Sequence, residues 1–462
     1  MRGPASTLII PVESQVRELD AKLLLACVAA ERGFRVVLGS RAYVHHRVHA
    51  MGRGVYLAKS LRPLSDRMFG ILRQLGHHIV AFDEEGLVRF SDDVYYRRRL
   101  SPSALRRISI LLAWGPDSAR LFRDAPSYSG IPIRITGNPR IDLMRPELRE
   151  FYRHDVDDIH RRFGDLILVN TNFAMVNAFV PGLNLIRPKR AADRPSALGG
   201  AGAGLPLDYV LGLEEHKRAL YEDFHRMIPA LADAFPERSI VIRPHPGESF
   251  DPWKALAGRR SNVQVASDGS VVPWLMAAQV LIHNGCTTAV EAAVLGRPAV
   301  TYRPRSSRRY DLDLPNDLSH GARDLDQLFR SVADILDGKL GPLEEGARRS
   351  VFESHLVGLD GRLAADRIVD VLEEAGYGRP PPPPRLDRAL VGRAHLAART
   401  AVKALNRRRR AHRNSAAFHR HRFPEIGARD LQERIERLGR QLGRFENQHV
   451  RRRWEHVFSI EC

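Results

Sequence analysis

The chain has 462 residues, 44% hydrophobic and 27% charged, with a formal net charge of +18. That length exceeds one ordinary core and implies two or three domains, and the composition is that of a folded chain rather than a disordered or fibrous one. Three cysteines, Cys27, Cys286 and Cys462, form no CxxC pair, which argues against a disulfide framework or a structural zinc site and for a reducing, cytoplasmic setting. The opening apolar run is too short for a signal peptide, and no window of about 18 apolar residues predicts a membrane span.

The elements alternate from the start. "TLIIPV" predicts a strand, and "ESQVRELDAKLLLACVAAERG" a helix with Val16, Leu19, Leu23, Ala26 and Cys27 on one side and Gly33 as its stop. "FRVVLGS" is the next strand, so the first 40 residues make a βαβ unit and imply a parallel sheet. "GVYLAKS", "HHIVAFD" and "ISILLAWG" predict further strands, and "IRITGNPRIDLMRPEL" closes the first half. "DLILVNTNF" opens a second series. Residues 179–207 are Pro/Gly/Ala-rich and polar and predict a mobile loop. A long helix over 214–235, the strand and loop "SIVIRPHP", and "VLIHNGCTTAVEAAVLGRPAVTYRP" follow.

The expectation is an α/β protein of two Rossmann-like domains facing a cleft, 1–150 and 151–376. A Pro-rich linker over 377–386 then leads to a basic helical tail over 387–462. From Arg385 on, 20 Lys and Arg face 8 Asp and Glu, so the last 78 residues hold +12 of the +18. Leu431, Ile435, Leu438, Leu442 and Phe445 make one helical stripe within it.

Two strand-end loops carry the chemistry. In "LIHNGCTTAVEAAVLG" a strand ends at His283, Asn284 and Gly285 turn, and Cys286, Thr287 and Thr288 open a helix. Free N–H groups and two hydroxyls at a helix start suit a phosphate. Glu291, one turn on, suits a ribose; the alternative is a capping box with one of the threonines. In "SIVIRPHPGESF" a strand ends on Arg243, and two prolines stiffen the loop that carries His245 and Glu248.

"HNGCTTAVEAAVLGRPAV" resembles the donor-binding signature of GT-B glycosyltransferases and the UDP-N-acetylglucosamine 2-epimerase group. "RPHP" resembles the His-Pro motif of bacterial Kdo- and sialic-acid-type transferases and teichoic-acid glycerophosphotransferases. "TGNPRIDLMRPEL" is similar to the segment linking the two domains in that group. "IPVESQVRELDAKLLLACVAAERGFRVVLGS" and, less specifically, "HRFPEIGARDLQERIERL" resemble the surface carbohydrate (polysaccharide) biosynthesis proteins. The resemblance runs from about Leu8 to Gly376.

It implies a GT-B glycosyltransferase of surface polysaccharide assembly, with a nucleotide-sugar donor as substrate and no cofactor. Arg243 and His245 would face the donor phosphates, and Asn284, Gly285, Cys286, Thr287 and Thr288 would cradle them. Glu291 would hold the ribose, and Asn170, Thr171 and Asn172 would line the cleft. Glu248 is placed with them, its partner open between the sugar, the ribose and none. The first domain would supply the acceptor side and the base that takes the acceptor's proton, Glu13 first and Asp20 second; helix capping by Glu13 is the alternative. Arg140 and Asp142 would pair at the hinge. No metal site is predicted.

The partners implied are the nucleotide-sugar donor, a saccharide or lipid-linked acceptor, and an anionic membrane surface met by the basic tail. Nucleic acid is not expected, since no stacking aromatics accompany the arginines. The alternatives are a nucleotide-sugar 2-epimerase, a glycerophosphotransferase-like polymer enzyme, and a non-catalytic scaffold recruited through the tail.

Overall fold

A computed structural model describes residues 5–187, 197–409 and 412–462. The first sheet contains β1 (Thr7–Val12), β2 (Arg35–Ser40), β3 (Gly54–Ala58), β4 (His78–Ala81), β5 (Ile110–Ala113) and β6 (Ile133–Ile135). These run parallel in the order β2-β1-β3-β4-β5-β6. All of β1 is buried, as expected for a parallel strand covered on both faces. Its alternation sends Leu8, Ile10 and Val12 into one apolar cluster and Ile9 into another.

The second sheet contains β7 (Leu166–Asn170), β8 (Ser239–Arg243), β9 (Val263–Val265), β10 (Val280–His283), β11 (Ala299–Tyr302) and β12 (His320–Ala322). All six are parallel, in the order β12-β11-β10-β7-β8-β9. The strand order reverses at β7, and open α/β sheets form their ligand crevice at such a point. The register aligns the last residues of three neighbouring strands there: Asn170 stands beside Arg243 on one side and His283 on the other.

The chain crosses back to the first domain before the boundary expected at 376. The helix Ala364–Glu374 packs on the helix Gln15–Glu31, and Tyr377 stacks on His78 at 4.3 Å. One apolar cluster holds Leu23, Met144, Phe151, Trp274 and Ile368 together, so the two domains share a core. The predicted loop over 179–207 has its middle, 188–196, outside the described residues; its flanks meet in a bridge between Ile186 and Leu198.

The tail departs from the expectation of a helical appendage. The helix Leu386–Arg407 lies on the helix Pro63–Gln74, with Gly392 at the crossing, where a Cβ would come within 2.9 Å of Gln74. The helix Ala428–Leu442 buries Leu431, Ile435 and Leu438 against the helix Gln15–Glu31 and the segment Pro146–Tyr152. The predicted stripe thus has its partner within the same chain. The last residues are not helical but form the hairpin β13 (His449–Trp454) and β14 (Val457–Glu461). β14 pairs antiparallel with β2 and extends the first sheet to eight strands. The run of arginines in "HVRRRW" obscures the strand pattern, whereas the buried face of "VFSI" carries it. Gly39 permits the close approach: a Cβ there would sit 2.4 Å from the carbonyl oxygen of His456.

Candidate functional site

A cleft of about 800 Å³ opens between the two domains at the carboxyl ends of β7 and β8. Eleven Lys and Arg line it against four Asp and Glu, so it suits an anion. The four acids are already paired: Asp20 with Arg434, Glu85 with Arg99, Asp268 with Arg162, and Glu291 with Arg140. Arg98 and Lys217 also line it, and neither has a carboxylate within salt-bridge distance among the described residues. Burial draws the Lys217 ammonium down to about 8 and the Arg98 guanidinium down to about 10.

The loop after β8 is built around a buried carboxylate. Glu248 is fully buried and accepts from the backbone N–H of Phe173 (2.9 Å) and of His245 (3.2 Å), the Thr171 hydroxyl (2.9 Å) and the Trp253 indole (3.0 Å). It does not line the cleft. The expectation that it meets a sugar or ribose is corrected: its acceptor sites are filled by the β7 and β8 loops it ties together. Thr171 does line the cleft but spends its proton on Glu248. Arg243 is buried, donates to the carbonyls of Asp268 (2.9 Å) and Gly269 (2.6 Å), and lies over Trp274. It lines the cleft while bracing the loop after β9.

His245 is caught between two donors. Its Nδ1 accepts the N–H of Gly247 at 3.0 Å, and its Nε2 lies 3.3 Å from Nη1 of Arg17. A neutral imidazole has one acceptor nitrogen, and both neighbours can only donate. The backbone N–H cannot swing away, so the network assigns the proton to Nε2. Burial, and then Arg17, hold the ring at about 3, so it stays neutral. An Nε2–H and a guanidinium therefore stand 3.3 Å apart at the cleft wall, two donors with no acceptor between them.

The helix Thr287–Leu295 starts at the same cleft. Its N-cap is Cys286, with no side chain capping it, so neither threonine serves as the expected cap. Cys286, Thr287 and Thr288 line the cleft, with Cys286 Sγ 2.6 Å from the Thr288 hydroxyl. Burial raises the Cys286 thiol to about 11. Asn172 donates to the carbonyl of Gly285 at 2.8 Å and links this turn to β7. Gly285 has φ +81°, which a side chain would strain; neither it nor Asn284 reaches the cleft lining. Asn170 is 2% exposed and lines the cleft with both amide atoms unpartnered within the protein. Buried polar groups are nearly always bonded, so this amide is open to a partner from the cleft.

Glu291 neither closes a capping box nor stands free. One oxygen pairs with Arg140 of the first domain, and the other is buried and unpartnered. The expected Arg140–Asp142 pair is thereby corrected: Asp142 accepts from the N–H groups of Ala364 (2.8 Å) and Ala365 (2.9 Å) and caps the returning helix. Glu13 lies outside the cleft lining. Arg41 (3.0 Å), Lys59 (2.9 Å) and Arg422 (2.6 Å) surround it. Despite burial, Arg41, Arg422 and Lys59 hold its carboxyl well below the usual range, which makes it a poor proton acceptor. Asp20 does line the cleft but is bonded to Arg434 (2.5 Å) and to the Tyr152 hydroxyl (3.2 Å). Neither geometry favours the expected role as base.

The tail supplies a wall that sequence reasoning left out. Arg420, His421, Pro424 and Arg434 line the cleft. His421 stacks on Phe179 at 4.1 Å and meets Phe250 at 4.7 Å, both in the second domain. Its neighbour Arg422 reaches Glu13 in the first. Arg98, Arg99 and Lys217 likewise carry no sequence signal, since short runs of cations on a helix usually mark a solvated face. The signal that was present is "HRFPEIGARD", which resembles the same family as the opening segment, though less specifically.

No family model matches the chain, and no curated protein matches it in sequence. Solved structures do. A variant of the wall teichoic acid polymerase TagF, soaked with CDPG, superposes with a TM-score of 0.51 at 11% identity, over 80% of this chain and 88% of TagF. The S. aureus MnaA–UDP co-structure superposes with a TM-score of 0.50 at 12% identity, over 81% of this chain and 98% of MnaA. The chain shares the two-domain fold of these structures, the GT-B fold expected from the sequence.

Proposed function

We propose that this protein is a GT-B glycosyltransferase of surface polysaccharide biosynthesis. It moves a sugar from a nucleotide-sugar donor to a saccharide or lipid-linked acceptor. The observation that carries this reading is the set of donors lining one cleft: the His245 Nε2–H, Arg17 and the uncapped helix start at Cys286–Thr288. When the bond from sugar to phosphate breaks, its electron pair stays on the departing nucleotide. Donors aimed at that oxygen stabilise the developing charge. The Asn170 amide and the free Glu291 oxygen suit the hydroxyls of sugar and ribose. The nucleotide ligands named for the MnaA co-structure and the TagF soak are consistent with a donor of this class.

The 2-epimerase reading is less well supported, since every acid lining the cleft is held in an ion pair. The cation excess also suits a phosphate-bearing acceptor, the case of a glycerophosphotransferase-like enzyme. A cytoplasmic enzyme lying on an anionic membrane fits the exposed Leu386, Leu390 and Leu405 on a basic helix. No helix among the described residues is long and apolar enough to cross a membrane.

A thermal-shift screen of UDP-, GDP-, CMP- and CDP-linked compounds tests the proposal. One class should raise the melting temperature by mass action, by about 1 °C per kcal/mol of binding in a chain of this length, and the shift should vanish in His245→Ala and Arg17→Ala. A screen in which no nucleotide shifts the transition removes the proposal. Turnover of the donor without an acceptor would favour the epimerase.

A further inference from the structure

A second cavity, of about 1120 Å³, is separated from the cleft by the helix Ala416–Arg422. Arg420 and His421 face the cleft, whereas Phe418, His419 and Arg422 face the second cavity. Its other walls are the ends of β1 and β2, the helix Arg41–Arg47 and the helix Leu386–Arg407. Seven Lys and Arg line it against Glu13 and Glu455. Glu13 is already shared by Arg41, Lys59 and Arg422, and Glu455 accepts the Tyr43 hydroxyl at 2.8 Å.

Lys403, Arg407 and Arg413 thus gather with no carboxylate in salt-bridge distance among the described residues. The buried Nε of Arg422 has no partner within the protein. Burial, with Arg399, Arg41 and Arg413 around it and Glu13 the opposing charge, draws Lys403 down to about 7. Lys403 is half-buried while Arg407 and Arg413 are exposed; like charges gathered without a counter-charge repel, and an anion between them relieves that repulsion. The remaining wall is apolar, with Leu396, Ala397, Ala401 and Ala404. The same helix exposes Leu386 (83%), Leu390 (64%), Val402 (53%) and Leu405 (69%) along one side.

We infer that this cavity is a second anion site, which takes a phosphate group borne by a ligand with an apolar part. A phospholipid headgroup and a soluble phosphoester share that chemistry. The inference does not rest on the nucleotide reading of the cleft.

Two probes test it on the full chain: inorganic pyrophosphate by titration calorimetry, and phosphatidylglycerol against phosphatidylcholine vesicles by co-sedimentation. One of them should bind, and Lys403→Ser with Arg407→Ser should weaken that binding at least tenfold. The charge-matched pair Arg452→Ser with Arg453→Ser, on an exposed strand, should not. Pyrophosphate binding assigns a soluble phosphoester. Binding of phosphatidylglycerol vesicles alone, lost also in Leu390→Ser with Leu405→Ser, assigns a lipid headgroup. If the first double variant fails to fold, Arg413→Ser replaces it. Failure of both probes to bind, or equal loss in the charge-matched pair, overturns the inference. The nucleotide thermal shift, read in the same variants, reports separately on the cleft.

Discussion

His245 and Arg243 were paired in the sequence as two phosphate contacts, but they do different work. His245 offers an Nε2–H to the cleft and supports only the N–H of Gly247, so His245→Ala should abolish the nucleotide shift with little change in melting temperature. Arg243 holds two carbonyls and covers Trp274. Arg243→Ala should leave those carbonyls unpaired and lower stability by about 2 kcal/mol as well as weakening binding. Calorimetric melts with and without nucleotide separate the two; equal behaviour of both variants would contradict the assignment. Glu248→Ala should be more severe, on the order of 3 kcal/mol, because several buried donors lose one acceptor together. A Glu248→Ala melt indistinguishable from that of wild type would show that water replaces it.

The strand ends repeat one device. β8 leads to "HPG" and β10 ends in "HNG", and in both the histidine Nδ1 accepts the N–H of the glycine two residues on, at 3.0 Å. Both strand-end loops were legible in the sequence, and the strand lengths and βαβ alternation predicted where they sit. Which way each ring faces was not visible: His245 meets Arg17 across the cleft, while His283 is fully buried against Ser319 at 2.8 Å. Burial holds His283 at about 3. A folded value below the unfolded one means that the unfolded chain takes up the proton first, so stability is lost as pH falls below about 6.5. Melting temperature should drop between about pH 7 and pH 5, and the drop should be shallower in His283→Gln. Parallel slopes would mean that His283 does not contribute.

At the scale of the molecule, the tail is structural. Its helix Ala428–Leu442 fills the shared core, its histidines touch both domains, and β14 closes the edge of β2. Truncation before His449 should expose the β2 edge and the apolar partners of Val457, Phe458 and Ile460, and yield an aggregating or strongly destabilised chain. A truncated chain that stays monomeric by light scattering and melts as wild type would place the hairpin outside the cooperative fold. Glu291→Gln acts across the domains: it leaves Arg140 buried beside a neutral amide, a loss of about 3 kcal/mol by the usual cost of breaking a buried pair. A chemical-denaturation midpoint unchanged in Glu291→Gln would show that the pair carries no such load.

The sequence by itself determined the two parallel α/β series, the strand-end loops and the helix start at Cys286. Those follow from local periodicity, turn chemistry and caps, which act over a few residues. Only the tertiary structure decided that Glu248 is a buried tie, that Arg140 meets Glu291 rather than Asp142, that Glu13 is neutralised by three cations, and that the basic tail walls the cleft. Each of those outcomes depends on a partner from a distant stretch of chain, and the strength of a charge depends on what is buried beside it.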